Sequence, residues 1–253
     1  MSENNTTCSI IKHFCEKYNI SLQEKAYNDL EILTQELLEY NSHTNLTAVR
    51  DEREVAIKHH ADSLFLLSTG LLPKNPRIID VGCGAGFPGL PLKIAERNID
   101  ISFLDSTEKK LKFTSHAANI LGFEAGIYPL RAEDAAKDKT LRESFDAAVS
   151  RAMANLPVLC ELCLPFVKVG GFFAAYKSAA SADTNDPESE LSRSLSGIKT
   201  LGGKVEKVIY YDLCDFYDTH DEDKKHCIIV IRKTCKTPDI YPRRYPQILK
   251  KPL

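Results

Sequence analysis

The stretch Asp80-Val-Gly-Cys-Gly-Ala-Gly-Phe-Pro-Gly89 is the sequence feature that most constrains the fold. It follows a short β-rich run, Arg77–Val81, and precedes residues 90–96, which have a helical pattern. A glycine-rich turn between a strand and a helix lets the backbone bend sharply and approach a ligand without an intervening Cβ. In a parallel sheet such a turn lies beyond the carboxyl ends of the strands, where cofactors bind. The sequence therefore predicts an α/β fold with a cofactor site at this loop.

Segments with strand and helix character alternate along the middle of the chain. The predicted strands are residues 77–81, 101–105, 126–131, 145–150 and 170–177. The predicted helices are residues 90–96, 108–121, 155–168 and about 190–200. This alternation predicts a parallel sheet that is covered by helices on both faces. Two final strands, 204–213 and 226–232, have no helical pattern between them, so we expect an antiparallel pair at one edge.

The N-terminal part of the chain is predominantly helical in character. Apolar residues recur at helical spacing within residues 8–40 and again over 52–68, and Ser21 with Glu24 forms a capping-box pattern. The predicted fold class is α/β: a Rossmann-like, doubly wound, mostly parallel sheet with an antiparallel edge hairpin and an N-terminal helical layer. We expect three units, which are an N-terminal helical cap packed on the core (1–72), the core (73–235) and a basic C-terminal tail (236–253).

The spacing within the loop argues against a dinucleotide site. Such a site needs a glycine at position 87, which is Phe87, and the glycines present are Gly82, Gly84 and Gly86. Asp80 is compatible with a zwitterionic nucleoside, because the ammonium group of the ligand would attract its carboxylate. Asp105, at the end of the next strand, can accept both hydroxyls of a ribose. Together these residues fit S-adenosylmethionine; the alternative is a tight turn with a helix-capping Asp.

Charge is distributed unevenly along the chain. The 33 Lys and Arg against 35 Asp and Glu give a formal net charge of −2, which argues against a protein that simply coats nucleic acid. Residues 232–253, however, carry seven Lys or Arg and one acid, a balance of +6, with tyrosines between the arginines. This pattern suits RNA, whereas the alternative is a solvated, frayed C-terminus. The predicted RNA contacts are Arg243, Arg244 and Lys250.

An acidic connector separates the last two predicted strands. We expect it to face away from RNA because it would repel phosphate. Its members are Asp212, Asp215, Asp218, Asp221, Glu222 and Asp223.

Cysteine usage and the N-terminus indicate the compartment. The eight cysteines are scattered, the N-terminus is polar and acidic, and no apolar run approaches the roughly 18 residues that span a bilayer. Cys160 and Cys163 have metal-like spacing, but they lie in an apolar segment without a second pair, which favours core cysteines. We therefore expect a cytoplasmic protein with reduced thiols, no membrane contact and no metal.

Several short motifs accompany the glycine loop. They are Asn45-Leu-Thr47, His59-His-Ala-Asp-Ser-Leu64, Leu104-Asp-Ser106 with Lys109-Lys110, Arg131-Ala-Glu133, Ser150-Arg-Ala152 and Tyr241-Pro-Arg-Arg244. With the Gly-Phe-Pro-Gly end of the loop, they make the chain resemble the ribosomal RNA small subunit methyltransferase G family, also called the glucose-inhibited division protein B family. The resemblance runs from about residue 20 to the C-terminus. The tail departs from the family pattern, since Pro246 and Ile248 replace the usual Gly and Pro.

The resemblance implies a class I S-adenosylmethionine-dependent methyltransferase fold, with residues 73–235 as the methyltransferase core. The implied reaction is methylation of N7 of a specific guanine in small-subunit (16S) ribosomal RNA. Gly82 and Phe87 would line the cofactor at the loop. Ala132 and Glu133 would contact its adenosine end. Arg151 would lie beside the methionine moiety or the incoming base.

The chemistry of this reaction makes few demands on side chains. Guanine N7 is an exposed lone pair and the sulfonium is an activated donor, so we expect positioning and no general base. His59 is equally open to a structural or an active-site role, and Asp62 could orient its ring. The limited basic surface favours an RNA that is preassembled in a ribonucleoprotein particle. The rival functions are a methyltransferase of small molecules or proteins, and a noncatalytic nucleotide-binding module.

Overall fold

The computed structural model describes residues 6–217 and 225–253, and the strands of these residues form one seven-stranded sheet. The strands are β1 (Arg77–Val81), β2 (Asp100–Leu104), β3 (Gly126–Tyr128), β4 (Phe145–Arg151), β5 (Val167–Ser178), β6 (Gly203–Asp212) and β7 (Lys225–Lys233). Their order is β3-β2-β1-β4-β5-β7-β6. Strands β1 to β5 pair in parallel, and β7 is antiparallel to both β5 and β6.

Helices precede the sheet and alternate with its strands. They are α1 (Thr7–Lys17), α2 (Glu24–Thr44), α3 (Glu52–Glu54), α4 (Asp62–Ser68), α5 (Gly89–Ala95), α6 (Glu108–Ile120), α7 (Ala132–Ala135), α8 (Leu156–Cys163), α9 (Glu190–Thr200), α10 (Cys214–Tyr217) and α11 (Tyr245–Lys250). A π-helical segment, Val55–Ala61, joins α3 to α4, and short 3₁₀ turns cover Leu164–Phe166 and Ala179–Ala182. None of the helices in the described ranges has the length and hydrophobicity to cross a bilayer.

Two apolar cores lie on opposite faces of the sheet, because successive strand residues point to opposite sides. Ile78 and Phe172 pack with α1, α2, α4, α5 and α6 on one face. Ile79 and Phe173 pack with α7, α8, α9 and α11 on the other. The predicted doubly wound sheet with an N-terminal helical layer and an antiparallel edge hairpin is confirmed.

Several predicted boundaries are wrong for identifiable reasons. Helix α2 begins at Glu24 after an extended Gln23, so Ser21 is too far away to cap it. The helix that we expect over 155–168 gives way at Cys163 to a turn containing Pro165, which has no N–H to donate. The strand expected over 126–131 ends at Tyr128, before Pro129. The short helix α10 lies in the connection between β6 and β7, where the sequence pattern predicts no helix.

The N-terminal helices and the C-terminal segment both pack on the sheet. Phe14 and Leu30, from α1 and α2, share one core with the central strands, and Ile248 of α11 is completely buried in the other. The tail is therefore packed and not frayed. The division at residues 72/73 and 235/236 stays a prediction about sequence units. Of the acidic connector, Asp218, Asp221, Glu222 and Asp223 lie outside the described residues.

Candidate functional site

A cleft opens where the strand order reverses, at the carboxyl ends of β1, β2 and β4. This switch point is the usual ligand-binding position in open α/β sheets. The cleft has a volume of about 260 Å³. Its lining residues are Gly82, Leu104, Asp105, Ser106, Thr107, Lys110, Leu130, Arg131, Ala132, Glu133, Ala152, Met153 and Tyr245. Gly82, Asp105, Ala132 and Glu133 of the predicted site therefore share one cavity.

The glycine loop borders this cleft through Gly82. Its backbone is left-handed at three positions. Gly82, Gly84 and Gly86 have φ angles of +68°, +57° and +90°. The N–H of Gly82 donates to the carbonyl of Leu104 at 2.7 Å, which ties the loop to the end of β2. A Cβ on Gly82 would lie 2.4 Å from Sδ of Met153, so only glycine leaves room for this side chain.

Asp105 is held rigidly at the edge of the cleft. Its Oδ2 accepts the N–H of Gly84 at 2.9 Å, and its Oδ1 accepts the N–H of Thr107 at 2.7 Å. These two bonds orient the carboxylate, and each oxygen keeps acceptor capacity for a ligand hydroxyl. The geometry fits the predicted ribose contact.

Asp80 has a different environment, since it is completely buried at the end of β1. Its Oδ2 accepts the N–H of Gly89 at 2.8 Å, whereas Oδ1 has no hydrogen-bond partner among the described residues. Burial raises the pKa of this carboxyl to about 7. Asp80 is not among the residues that line the first cleft, so its contact with the ammonium group of the expected cofactor stays a prediction.

A second cleft adjoins the first and shares Ala152 with it. Its volume is about 460 Å³. Its lining residues are Lys58, His59, Asp62, Arg151, Ala152, Tyr176, Lys177, Ser178, Ser181, Glu190 and His226. The end of β4 therefore separates the two cavities, with Met153 facing the first and Arg151 facing the second.

Arg151 is the centre of a hydrogen-bond network in the second cleft. One guanidinium nitrogen, Nη1, donates to the carbonyl of Lys58 at 2.7 Å and to Oδ2 of Asp62 at 2.6 Å. The other, Nη2, donates to Nδ1 of His59 at 3.1 Å. The guanidinium also lies 5.8 Å from the ring centroid of Phe87, so the loop and the π-helical segment meet at this residue.

Asp62 binds Arg151 and not His59, so the predicted orientation of the His59 ring by Asp62 is wrong. The Asp62 carboxylate also accepts the hydroxyl of Tyr211 at 2.5 Å and contacts Nδ1 of His226 at 3.0 Å. Bonds to His226 and the charge of Arg151 lower the pKa of this buried carboxyl despite its desolvation. Sequence reasoning missed Tyr211 and His226, which lie more than 100 residues from Asp62 along the chain.

His59 is a neutral ring held between the loop and the motif Asn45-Leu-Thr47. Burial and the nearby charge of Arg151 lower its pKa to about 3. Because its Nδ1 accepts from Arg151, its Nε2 carries the proton and donates to Oγ1 of Thr47 at 3.1 Å. The ring stacks on Phe87 at a centroid distance of 4.5 Å. His59 therefore contacts both Phe87 and Arg151. His60 is completely buried and bonds to Thr34 at 2.7 Å, so it is structural.

The C-terminal residues have separate roles. Arg243 binds the completely buried Glu161 through Nε at 2.9 Å and Nη2 at 2.6 Å, which makes it an anchor of the tail. Arg244 and Lys250 are exposed. Pro246 occupies the first turn of α11, where its missing N–H has no cost, so the departure from the family pattern is accommodated as a helix.

The cysteines add no site within the part of the chain that the structure describes. None of the eight is in a disulfide, and Cys160 and Cys163 are buried in α8. Burial raises the pKa of both thiols. No group of three or more His, Cys, Asp or Glu in these residues is arranged to hold a metal ion.

Comparisons with known proteins identify the relatives of this chain. The family model of rRNA small subunit methyltransferase G, GidB, matches residues 26–205. A ribosomal RNA small subunit methyltransferase G of Alkaliphilus oremlandii is 41% identical over 246 residues, which cover 96% of this chain and 98% of the relative. One of Clostridium botulinum is 37% identical over 235 residues, covering 92% and 93%.

Similarity to solved structures concerns the fold alone. A candidate methyltransferase of Bacillus halodurans superposes with a TM-score of 0.51 at 14% identity, covering 69% of this chain and 100% of its own. The family itself is shown by the sequence matches, which extend over nearly the whole chain. The chain belongs to the rRNA small subunit methyltransferase G (GidB) family.

Proposed function

We propose that this protein transfers a methyl group from S-adenosylmethionine to N7 of a specific guanine in small-subunit (16S) ribosomal RNA. The observation that carries this proposal is the pair of clefts that meet at Ala152, at the switch point of the sheet. One cavity suits a nucleoside with an amino-acid group, and the other suits an incoming base. The names of the curated relatives support an RNA substrate. We also propose that the protein acts in the cytoplasm.

The first cleft fits the cofactor through donors and acceptors of this chain. Asp105 would accept the ribose hydroxyls, and Ala132 with Glu133 would contact the adenosine end. Gly82, Gly84 and Gly86 would let the backbone approach the methionine moiety, and the unpaired oxygen of Asp80 would receive its ammonium group. When bound, S-adenosylmethionine supplies an activated methyl group, and guanine N7 carries no proton for the chain to remove.

The residues of the second cleft position the target base. Phe87 and His59 form a stacked pair beside Arg151, whose guanidinium is fixed by Asp62 and the carbonyl of Lys58. A neutral imidazole and a fixed guanidinium suit the orientation of a base, and no catalytic base is needed because N7 is a free lone pair. The guanine must reach this cleft unpaired or flipped out of its helix.

Exposed basic side chains near the first cleft are proposed to contact the RNA backbone. Arg244, immediately before α11, and Lys250, at its end, are exposed, whereas Arg243 binds Glu161. Because this basic area is limited, we propose that the substrate is a preassembled ribonucleoprotein particle. A preference for particles over naked ribosomal RNA is the expected outcome, and equal methylation rates on the two would contradict it.

Transfer of a tritiated methyl group from S-adenosylmethionine tests the proposed function. The acceptors are small-subunit particles from cells that lack this protein, and we expect label in one guanine of the 16S RNA, which is located by nuclease digestion and chromatography. Particles from cells that contain the protein are the control, because their site is already methylated. Label in a small molecule or a protein alone would favour the first rival function, and no transfer to any acceptor would favour the noncatalytic module.

Substitution of Gly82 by Ala tests the cofactor cleft. The new Cβ would clash with the side chain of Met153, which lines the same cleft, so we expect affinity for S-adenosylhomocysteine, measured by calorimetry, to fall on the order of tenfold, about 1.4 kcal/mol. Gly70→Ala is the matched control, because Gly70 has a similar φ of +64° but open space around its Cβ position. Both variants carry about 1 kcal/mol of backbone strain. Equal affinity in the two variants would refute the assignment of this cleft.

A further inference from the structure

The C-terminal segment is fixed to the core by buried contacts. The guanidinium of Arg142 donates to the carbonyl oxygens of Thr237 at 3.0 Å and of Tyr241 at 2.9 Å. Arg243 is bound by the buried Glu161, and Ile248 is completely buried. The backbone that carries α11 is therefore held on both sides of Tyr245. A side chain on this helix can therefore form a fixed part of the wall of a cleft.

Tyr245 lines the first cleft, although it lies more than 90 residues from every other residue in that lining. The guanidinium carbon of Arg131 lies 5.8 Å from the centroid of its ring. Arg131 directly precedes Ala132 and Glu133, the residues assigned to the adenosine end of the cofactor. Gly82 and Met153 belong to the opposite end, at β1 and β4. Tyr245 is consequently placed at the adenosine end.

The neighbourhood of Tyr245 is suited to a planar apolar group. Leu130 lines the same cleft and is 42% exposed, so its side chain offers apolar surface to a bound ligand. The Tyr245 ring is only partly buried, and Arg131 restrains it by a cation–π contact. An aromatic ring and an aliphatic side chain at one cleft mouth are the usual surroundings of a purine base.

We propose that Tyr245 is a binding residue for the adenine base of the cofactor, so that the C-terminal segment forms part of the cofactor site. This inference rests on the proposed function, because it requires S-adenosylmethionine in the first cleft. It assigns to the tail a role in cofactor binding in addition to any contact with RNA. The ring contributes one wall, and Leu130 contributes apolar surface beside it.

Calorimetric titration with S-adenosylhomocysteine and with adenosine tests this role. We expect Tyr245→Ala and Tyr245→Leu to weaken both ligands by a similar factor of roughly tenfold, because both lose an aromatic face for the base. Tyr245→Phe should bind both ligands nearly as the natural protein does, since the ring is kept. Tyr210→Ala is the matched control, because Tyr210 is 57% exposed on β6 and lies outside the cleft lining.

Each outcome separates this inference from the proposed function. If the natural protein fails to bind S-adenosylhomocysteine, the proposed function is refuted. If the natural protein binds this ligand and all of the Tyr245 variants bind it equally well, only the role of Tyr245 is refuted. Weaker binding of S-adenosylhomocysteine with unchanged adenosine binding would also overturn the adenine assignment. Thermal unfolding of each variant identifies a folding defect, and in that event the comparison of Tyr245→Leu with Tyr245→Phe decides.

Discussion

Replacement of Arg151 by Met is expected to lower the rate of methyl transfer by about 100-fold or more, since loss of positioning at a reacting centre has effects of this size. The guanidinium holds the π-helical segment, His59 and the glycine-loop residue Phe87 in one arrangement. Affinity for S-adenosylhomocysteine should change much less, because Arg151 lies outside the lining of the first cleft. Single-turnover methylation and calorimetry measure the two effects separately.

The same replacement should lower the free energy of unfolding by about 3 kcal/mol, because it leaves the buried Asp62 carboxylate without its cation. Asp62→Asn removes this charge, so it provides the control. In a double-mutant cycle, measured by urea denaturation, the variant with both changes should be more stable than the sum of the single effects predicts. Additive effects would show that Arg151 and Asp62 are not coupled in stability, and normal methyl transfer by a folded Arg151→Met protein would show that Arg151 does not position the base.

Replacement of Arg243 by Met is expected to lower the free energy of unfolding by about 3 kcal/mol, which urea denaturation can measure. Glu161 is completely buried, and it would keep only the backbone N–H of Arg243 as a donor from the tail. The result matters for function, because this ion pair holds the segment that carries Tyr245. A weaker anchor should also weaken the binding of S-adenosylhomocysteine.

Arg232→Met is the matched control for this prediction. Arg232 pairs with Glu206, and both side chains are about one-third exposed, so its loss should cost about 1 kcal/mol or less. If Arg243 contacts RNA instead of anchoring the tail, Arg243→Met would leave stability unchanged and would weaken RNA binding with a smaller salt dependence. That outcome would support contact of Arg243 with RNA, which is the role that the basic character of the tail predicts.

Local sequence patterns predicted the fold because they reflect local physics. The alternation of strands and helices follows from hydrophobic periodicity, and the glycine loop follows from the conformations that only glycine adopts without strain. The left-handed angles at Gly82, Gly84 and Gly86 agree with that reasoning. Boundaries were less predictable. The start of α2 depends on how the chain turns after α1, and the end of α8 follows from Pro165, which the apolar pattern alone does not take into account.

The net charge of the C-terminal segment was the poorest predictor of which of its residues can contact RNA. The +6 balance of residues 232–253 treats all basic residues alike, yet Arg232, Lys233 and Arg243 form ion pairs with Glu206, Glu143 and Glu161. These three acids lie at distant positions in the sequence. The basic residues that can face a nucleic acid are therefore fewer than the sum suggests, and Arg244 and Lys250 are among them.

The sequence by itself determined the sheet, the glycine loop, the strand-end Asp105 and the family, because each depends on neighbours along the chain. Only the tertiary structure decided which distant side chains share a cavity or a bond. It joined Asp62 to Arg151, Tyr211 and His226, and it brought Tyr245 to the cleft. The physical reason is that hydrogen bonds and ion pairs act over a few ångströms of space, whatever the separation of the partners in sequence.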